Sequence, residues 1–167
     1  VTATGVTAYI GLGANLGDPV AQVRAGMAAL AVLPATRVLR CSSLYRTAPV
    51  GIAEQPDFIN AVCALETTLA PLALMRALLD IERRHGRVRR AGEQRGGPRR
   101  LDLDLLLYGE AVLSLPEATV PHPRLHERAF VLVPLAEIAP GLEIPGRGPV
   151  ERLLAACVGQ RVERLES

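Results

Sequence analysis

The 167-residue chain is long enough for one domain with its own core, and 49% hydrophobic residues with a mean hydropathy of +0.23 point to a compact soluble protein. No apolar run reaches the length that crosses a bilayer, so no membrane role is expected. The net charge is only +2, yet all 19 basic residues are arginine, which excludes a Walker A loop and a lysine Schiff base.

The chain opens on Val1 to Gly5, with no basic region or signal-like core, so a cytoplasmic protein is expected. Thr7 to Gly13 reads as a first strand. Ala14 to Pro19 then turns into a helix with Asp18 as N-cap and Pro19 at the first helical position. Gly11, Gly13 and Gly17 do not form a dinucleotide fingerprint, because Leu16 stands where the third glycine belongs; they read as clearance for a ligand or as a plain tight turn. The helix runs to about Leu33 and Pro34 ends it.

Arg37 to Tyr45 is a predicted second strand, Arg46 to Pro56 a loop of the kind that often carries function, and Phe58 to Thr67 a third strand with both faces covered. Pro71 opens a second helix to about His85. Gly86 to Arg100 then gathers Arg87, Arg89, Arg90, Arg95, Arg99 and Arg100 against the single acid Glu93. Such a loop suits phosphate oxygens, since a guanidinium forks two of them, although a solvated basic loop has the same composition.

The strand Leu101 to Tyr108 follows directly and carries the most informative pattern in the chain. Successive side chains of a strand alternate faces, so Asp102 and Asp104 share one face while Leu101, Leu103 and Leu105 take the other. Two carboxylates about 7 Å apart on an apolar strand resist burial without a cation or a proton. Mg²⁺, held by one or two carboxylates together with substrate phosphates, is the natural guest; an edge strand with a wet face is the alternative.

Gly109 and Glu110 make a hairpin-like turn into Ala111 to Leu115. His122 and His126 have helical metal spacing, but Pro123 argues against zinc, and His122 suits an anion better. After the apolar stretch Ala129 to Ile138 comes a last predicted helix from about Val150 to Val158, and Arg161 to Ser167 is a loosely specified tail. Cys41, Cys63 and Cys157 have no Cys-x-x-Cys spacing and are expected to be reduced and buried. The predicted fold is α+β, one domain over residues 1–167. It has a ferredoxin-like βαββαβ core, an added hairpin strand and C-terminal helices on a mostly antiparallel sheet.

Five segments in this order, Ala8 to Gly17, Tyr45 to Pro49, Gln55 to Ala61, Gly97 to Asp104 and Val120 to Pro123, strongly resemble the 6-hydroxymethyl-7,8-dihydropterin pyrophosphokinases of folate biosynthesis. The resemblance implies transfer of diphosphate from ATP, as co-substrate, to the pterin hydroxymethyl group. It implies that Asp102 and Asp104 hold two Mg²⁺ ions, with Arg87 and Arg99 joining them in catalysis. ATP would be met by Glu82, Arg87, Arg89, Arg99, Leu105, Thr119, His122 and Arg128. The pterin would be met by Thr47, Ala48, Val50, Phe58, Asn60 and Phe130, the two phenylalanines enclosing the flat ring; ordinary core packing is their alternative use. The chain departs from the family pattern in lacking the tryptophan of the arginine loop, and in having Leu79 and Glu117 where glutamine and arginine are usual. The arginine loop is expected to close after nucleotide binds. A monomer is expected.

Two other readings stay open. Nucleotidyl transfer also suits paired aspartates on such a sheet. An RNA-binding module would use the arginines but needs exposed aromatics, and aromatic content is 3%, so no nucleic-acid partner is expected.

Overall fold

The computed structural model describes residues 5–49, 54–85 and 100–165. In chain order these give β1 (Val6–Ala14), α1 (Pro19–Ala31), β2 (Thr36–Cys41), β3 (Tyr45–Thr47), β4 (Phe58–Thr67), α2 (Pro71–Arg84) and β5 (Asp102–Tyr108). There follow β6 (Leu113–Ser114), β7 (Thr119–Val120), a 3₁₀ turn (Leu125–Glu127), α3 (Ala129–Ile138), β8 (Glu143–Ile144), β9 (Gly148–Pro149), α4 (Val150–Ala155) and β10 (Val162–Arg164). The main sheet runs β10-β3-β4-β1-β5, with β2 also on β4, and every pairing in it is antiparallel. The ferredoxin-like order is present, with β1 central between β4 and β5.

Alternation along these strands divides the interior into two layers. Ile10, Leu12, Ile59, Cys63, Leu65, Leu101, Leu103 and Leu105 pack under α1 and α2, which contribute Val23, Leu30, Leu74, Leu78 and Ile81. On the opposite face, Val62, Ala64 and Leu106 meet Val131, Leu132 and Leu135 of α3 and Val150 of α4. Local chemistry sets the helix ends. Asp18 accepts the Ala21 N–H at 3.1 Å ahead of Pro19, and α2 ends on Arg83 and Arg84, where positive charge suits the helix dipole. Gly26 lets α1 lie close to the sheet, since a Cβ there would stand 3.0 Å from Leu12 and 3.2 Å from Leu101 side-chain carbons.

Several sequence expectations are corrected. The stretch Arg37 to Tyr45 is two strands, because Ser42 interrupts it: its hydroxyl accepts the Val62 N–H at 2.9 Å while its own N–H donates to the Val62 carbonyl. The turn at Gly109 does not lead into another strand of the main sheet; Leu113 and Ser114 pair with Val120 and Thr119 in a separate ribbon. The tail is built into the sheet as far as Leu165, since Val162–Arg164 pair with β3 and Leu165 N–H donates to the Leu44 carbonyl at 2.9 Å. Cys41 and Cys63 are not free thiols: they face each other across β2 and β4 with Cα atoms 4.1 Å apart and form a disulfide. Cys157 is a free thiol, half-buried.

Glu137 ties α3 to the β2–β3 corner. Its carboxylate accepts the Ser43 N–H at 3.0 Å, the Ser43 hydroxyl at 3.0 Å and the Tyr45 hydroxyl at 2.5 Å. Burial alone would raise this carboxyl, but the Tyr45 and Ser43 donors outweigh it and hold the pKa below its ordinary value. Tyr45 is pushed up to about 12, chiefly by burial and then by its bond to Glu137. A depressed folded pKa stabilises above the ordinary carboxylate range and is lost as pH falls through the folded value. Glu137→Gln should therefore flatten the acid side of a melting-temperature profile below about pH 4, where the wild type declines more steeply. At neutral pH it should cost at most about 1 kcal/mol, since the pair is solvent-screened. Parallel acid limbs for the two proteins would refute this.

Candidate active site

The face of the sheet toward α3 carries the candidate residues. In register, Asn60 lies opposite Gly13 and Gly13 opposite Asp102; in the next row Val62 lies opposite Gly11 and Gly11 opposite Asp104. Directly opposed residues share a face, so Asn60, Asp102 and Asp104 all rise from one side, separated by a strip of glycine backbone. A Cβ on Gly13 would stand 2.8 Å from Asn60 Oδ1, so only glycine leaves this floor clear. Both aspartates are half-buried while Leu101, Leu103 and Leu105 are buried beneath, as the alternation predicted.

β5 is the edge strand of the sheet, and other segments take up its outer backbone groups. Glu82, 2% exposed on α2, accepts the Leu103 N–H at 2.8 Å, between the two aspartates. The Leu106 carbonyl accepts the His122 N–H at 2.9 Å, which lays residues 120–128 along the strand; the Val120–Pro121 peptide is cis.

That segment delivers two cationic or donor side chains to the acid pair. His122 Nδ1 accepts the Arg124 N–H at 3.2 Å, which leaves the proton of a neutral ring on Nε2. Burial, reinforced by the Arg128 charge and opposed by Asp102, lowers the His122 pKa to about 4, so the ring is neutral at pH 7. Arg128 is half-buried, its pKa lowered by burial against the opposing pull of Asp104. Its Nε is buried and has no hydrogen-bond partner among the described residues. A buried guanidinium nitrogen in that condition is suited to an incoming anion.

The same face carries two aromatic side chains and a polar pair. Phe58 begins β4 and Phe130 lies in the first turn of α3, both half-buried, with the Arg128 guanidinium 5.4 Å from the Phe130 ring centre. Asn60 Nδ2 donates to Thr47 Oγ1 at 2.6 Å, which leaves the remaining amide groups to address a flat heterocycle's edge. Ala48 follows Thr47 at the end of β3.

Asp102, Asp104, His122, Arg128, Thr47, Phe58, Asn60 and Phe130 are thus brought to one face. Three residues are not. Leu105 points into the α1/α2 core, Glu82 serves the backbone edge of β5, and Thr119 is exposed on β7 with its hydroxyl on the Leu115 carbonyl. Val50, Arg87, Arg89 and Arg99 lie outside the described residues. Glu117 faces Arg76 of α2 at 3.7 Å, and Leu79 is 42% exposed. Sequence reading missed a positioning role for Asn15, 2% exposed, whose Nδ2 donates to Gln55 Oε1 and to the Pro56 carbonyl, both at 2.9 Å. This binds the turn after β1 to the loop before β4; the only signal for it was a buried-type Asn within a glycine-rich turn.

The donor set is all oxygen, two half-buried carboxylates, and no third His, Cys, Asp or Glu joins them in a metal-sized group among the described residues. Such a set fits Mg²⁺ completed by phosphate and water, and does not fit zinc.

A family model described as 7,8-dihydro-6-hydroxymethylpterin-pyrophosphokinase (HPPK) matches residues 9–140. A 2-amino-4-hydroxy-6-hydroxymethyldihydropteridine pyrophosphokinase of Pseudomonas aeruginosa is 50% identical over 157 residues, covering 94% of this chain and 95% of that one. The protein of the same name from Haemophilus influenzae is 42% identical over 160 residues, covering 96% and 98%. The crystal structure of an HPPK-DHPS triple mutant from Plasmodium falciparum shares the fold with a TM-score of 0.71 at 12% identity, over 90% of this chain and 43% of that one.

Proposed function

The chain belongs to the 7,8-dihydro-6-hydroxymethylpterin-pyrophosphokinase family, and from that premise we propose that it transfers diphosphate from ATP to 6-hydroxymethyl-7,8-dihydropterin, giving the pterin diphosphate and AMP. The observation that carries this reading is the register of the site face, which sets Asn60 and Asp102 in one row with only Gly13 of β1 between them. A flat substrate held at Asn60 therefore extends its hydroxymethyl arm toward the acids.

In this reading Asp102 and Asp104 hold two Mg²⁺ ions. When bound, Mg²⁺ supplies neutralisation of triphosphate charge and alignment of the accepting hydroxyl. Arg128 offers its Nε, without a partner among the described residues, to a phosphate oxygen, and His122 donates through Nε2–H without adding charge. Phe58 and Phe130 bind and orient the ring and exclude water from the transfer, which limits hydrolysis. Thr47 fixes the Asn60 amide so that it reads the ring edge in one orientation. No helix among the described residues is long and apolar enough to cross a membrane. The dependence on ATP supports a cytoplasmic setting.

Separating AMP, ADP and pyrophosphate after incubation with ATP, Mg²⁺ and the pterin tests the reaction. AMP formed only with pterin, alongside a diphosphorylated pterin, is expected; pterin-linked AMP with free pyrophosphate would establish nucleotidyl transfer instead. Gly13→Ala should displace the Asn60 side chain and raise the pterin KM about tenfold while the ATP KM changes less than about twofold. Equal effects on both substrates would place the pterin elsewhere.

A further inference from the structure

The first turn of α3 is capped from a distance. Helices leave their first N–H groups without internal partners, and a local Ser, Thr, Asp or Asn commonly fills one of them. Here the N-cap is Arg128, whose side chain caps nothing. Gln160, 31 residues downstream of Ala129, takes that place: its Oε1 accepts the Ala129 N–H at 2.9 Å and its Nε2 donates to the Glu127 carbonyl at 2.8 Å. One amide thus grips the backbone on both sides of Arg128.

The chain that carries Gln160 is anchored at the opposite wall. Two residues later it enters β10, where Val162 lies opposite Thr47, and Leu165 N–H reaches the Leu44 carbonyl. The same short segment therefore holds the strand of Thr47 and the helix start from which Arg128 and Phe130 project. Gln160 itself is exposed, so it adds little to the core, and its two bonds are its structural content.

We propose that Gln160 is a positioning residue of the transfer site, fixing the backbone of Arg128 and Phe130 relative to Thr47. The proposal rests on the reading that Arg128 meets ATP and Phe130 meets the pterin. With Gln160 in place, both side chains start from a fixed backbone, and the Arg128 guanidinium lies over the Phe130 ring. Without it, the helix start loses its cap and both walls loosen together.

The test uses the full chain with Gln160→Met, which keeps length and loses both bonds, Gln160→Glu, which keeps only the acceptor for Ala129, and Arg128→Ala as reference. Gln160→Met should raise KM for ATP and for the pterin about three- to tenfold with kcat within about twofold, and should speed amide exchange at Ala129 about tenfold. Gln160→Glu should restore Ala129 protection and part of the KM. Wild-type KM values in Gln160→Met, or a fall confined to kcat in step with a lowered melting temperature, would overturn the positioning role provided that Arg128→Ala is impaired. An unimpaired Arg128→Ala would overturn the site reading on which the proposal rests.

Discussion

Asp102→Asn and Asp104→Asn each lower turnover by about 10²–10³-fold, roughly 3–4 kcal/mol of transition-state stabilisation, while the melting temperature stays within about 2 °C of wild type. The contrast follows from where the carboxylates sit. They are half-buried on the α3 face of β5, above a floor of glycine backbone, and the apolar packing of that strand is made by Leu101, Leu103 and Leu105 on the other side. Asparagine keeps the volume and removes the charge, so a hard divalent cation loses an anionic ligand while the apolar packing of β5 is unchanged. Steady-state rates and thermal melts on the same preparations check both halves, and wild-type turnover in both variants would remove the acid pair from the mechanism.

Glu82→Leu lowers stability by about 2–3 kcal/mol, since it strips a buried backbone N–H of its acceptor. That corresponds to a melting temperature lower by roughly 4–12 °C for a chain of this size. The N–H belongs to Leu103, between the two aspartates on an edge strand, so the loss falls where the site needs β5 held still. Turnover should fall about tenfold in the folded fraction, because a displacement of 1 Å is enough to spoil alignment. Glu82→Gln retains an oxygen acceptor and should lose less than about 1 kcal/mol. Leucine and glutamine variants of equal stability would show that the Leu103 bond is not what Glu82 contributes.

How far these features were legible in the sequence depends on how local their causes are. The apolar run Phe58 to Thr67 and the alternation in Leu101 to Tyr108 announced two strands of the main sheet and the shared face of Asp102 and Asp104, because alternation is fixed by the strand backbone itself. Asp18-Pro19 and Pro71 marked both early helices for the same reason. Leu105, expected at the nucleotide, obeys that alternation and lies with the core leucines instead. What the sequence concealed depends on distant partners. Val162–Arg164 became a strand only because β3 offers an edge over a hundred residues earlier. The break between β2 and β3 comes from Ser42 bonding across to Val62, and no propensity encodes it. The disulfide required knowing that Cys41 and Cys63 fall in register. The cap on α3 was invisible for the same reason, since Gln160 is an unremarkable polar residue until the fold brings it to Ala129.

Both substrates are expected on the α3 face of the sheet, above Gly11 and Gly13. The decisive measurement is a crystal structure with a non-hydrolysable ATP analogue, Mg²⁺ and 6-hydroxymethyl-7,8-dihydropterin. Carboxylate oxygens of Asp102 and Asp104 should lie about 2.1 Å from Mg²⁺. The pterin should lie between Phe58 and Phe130, with its polar edge on Asn60. A pterin or metal bound away from this face, with Asp102 and Asp104 left to solvent, would contradict it.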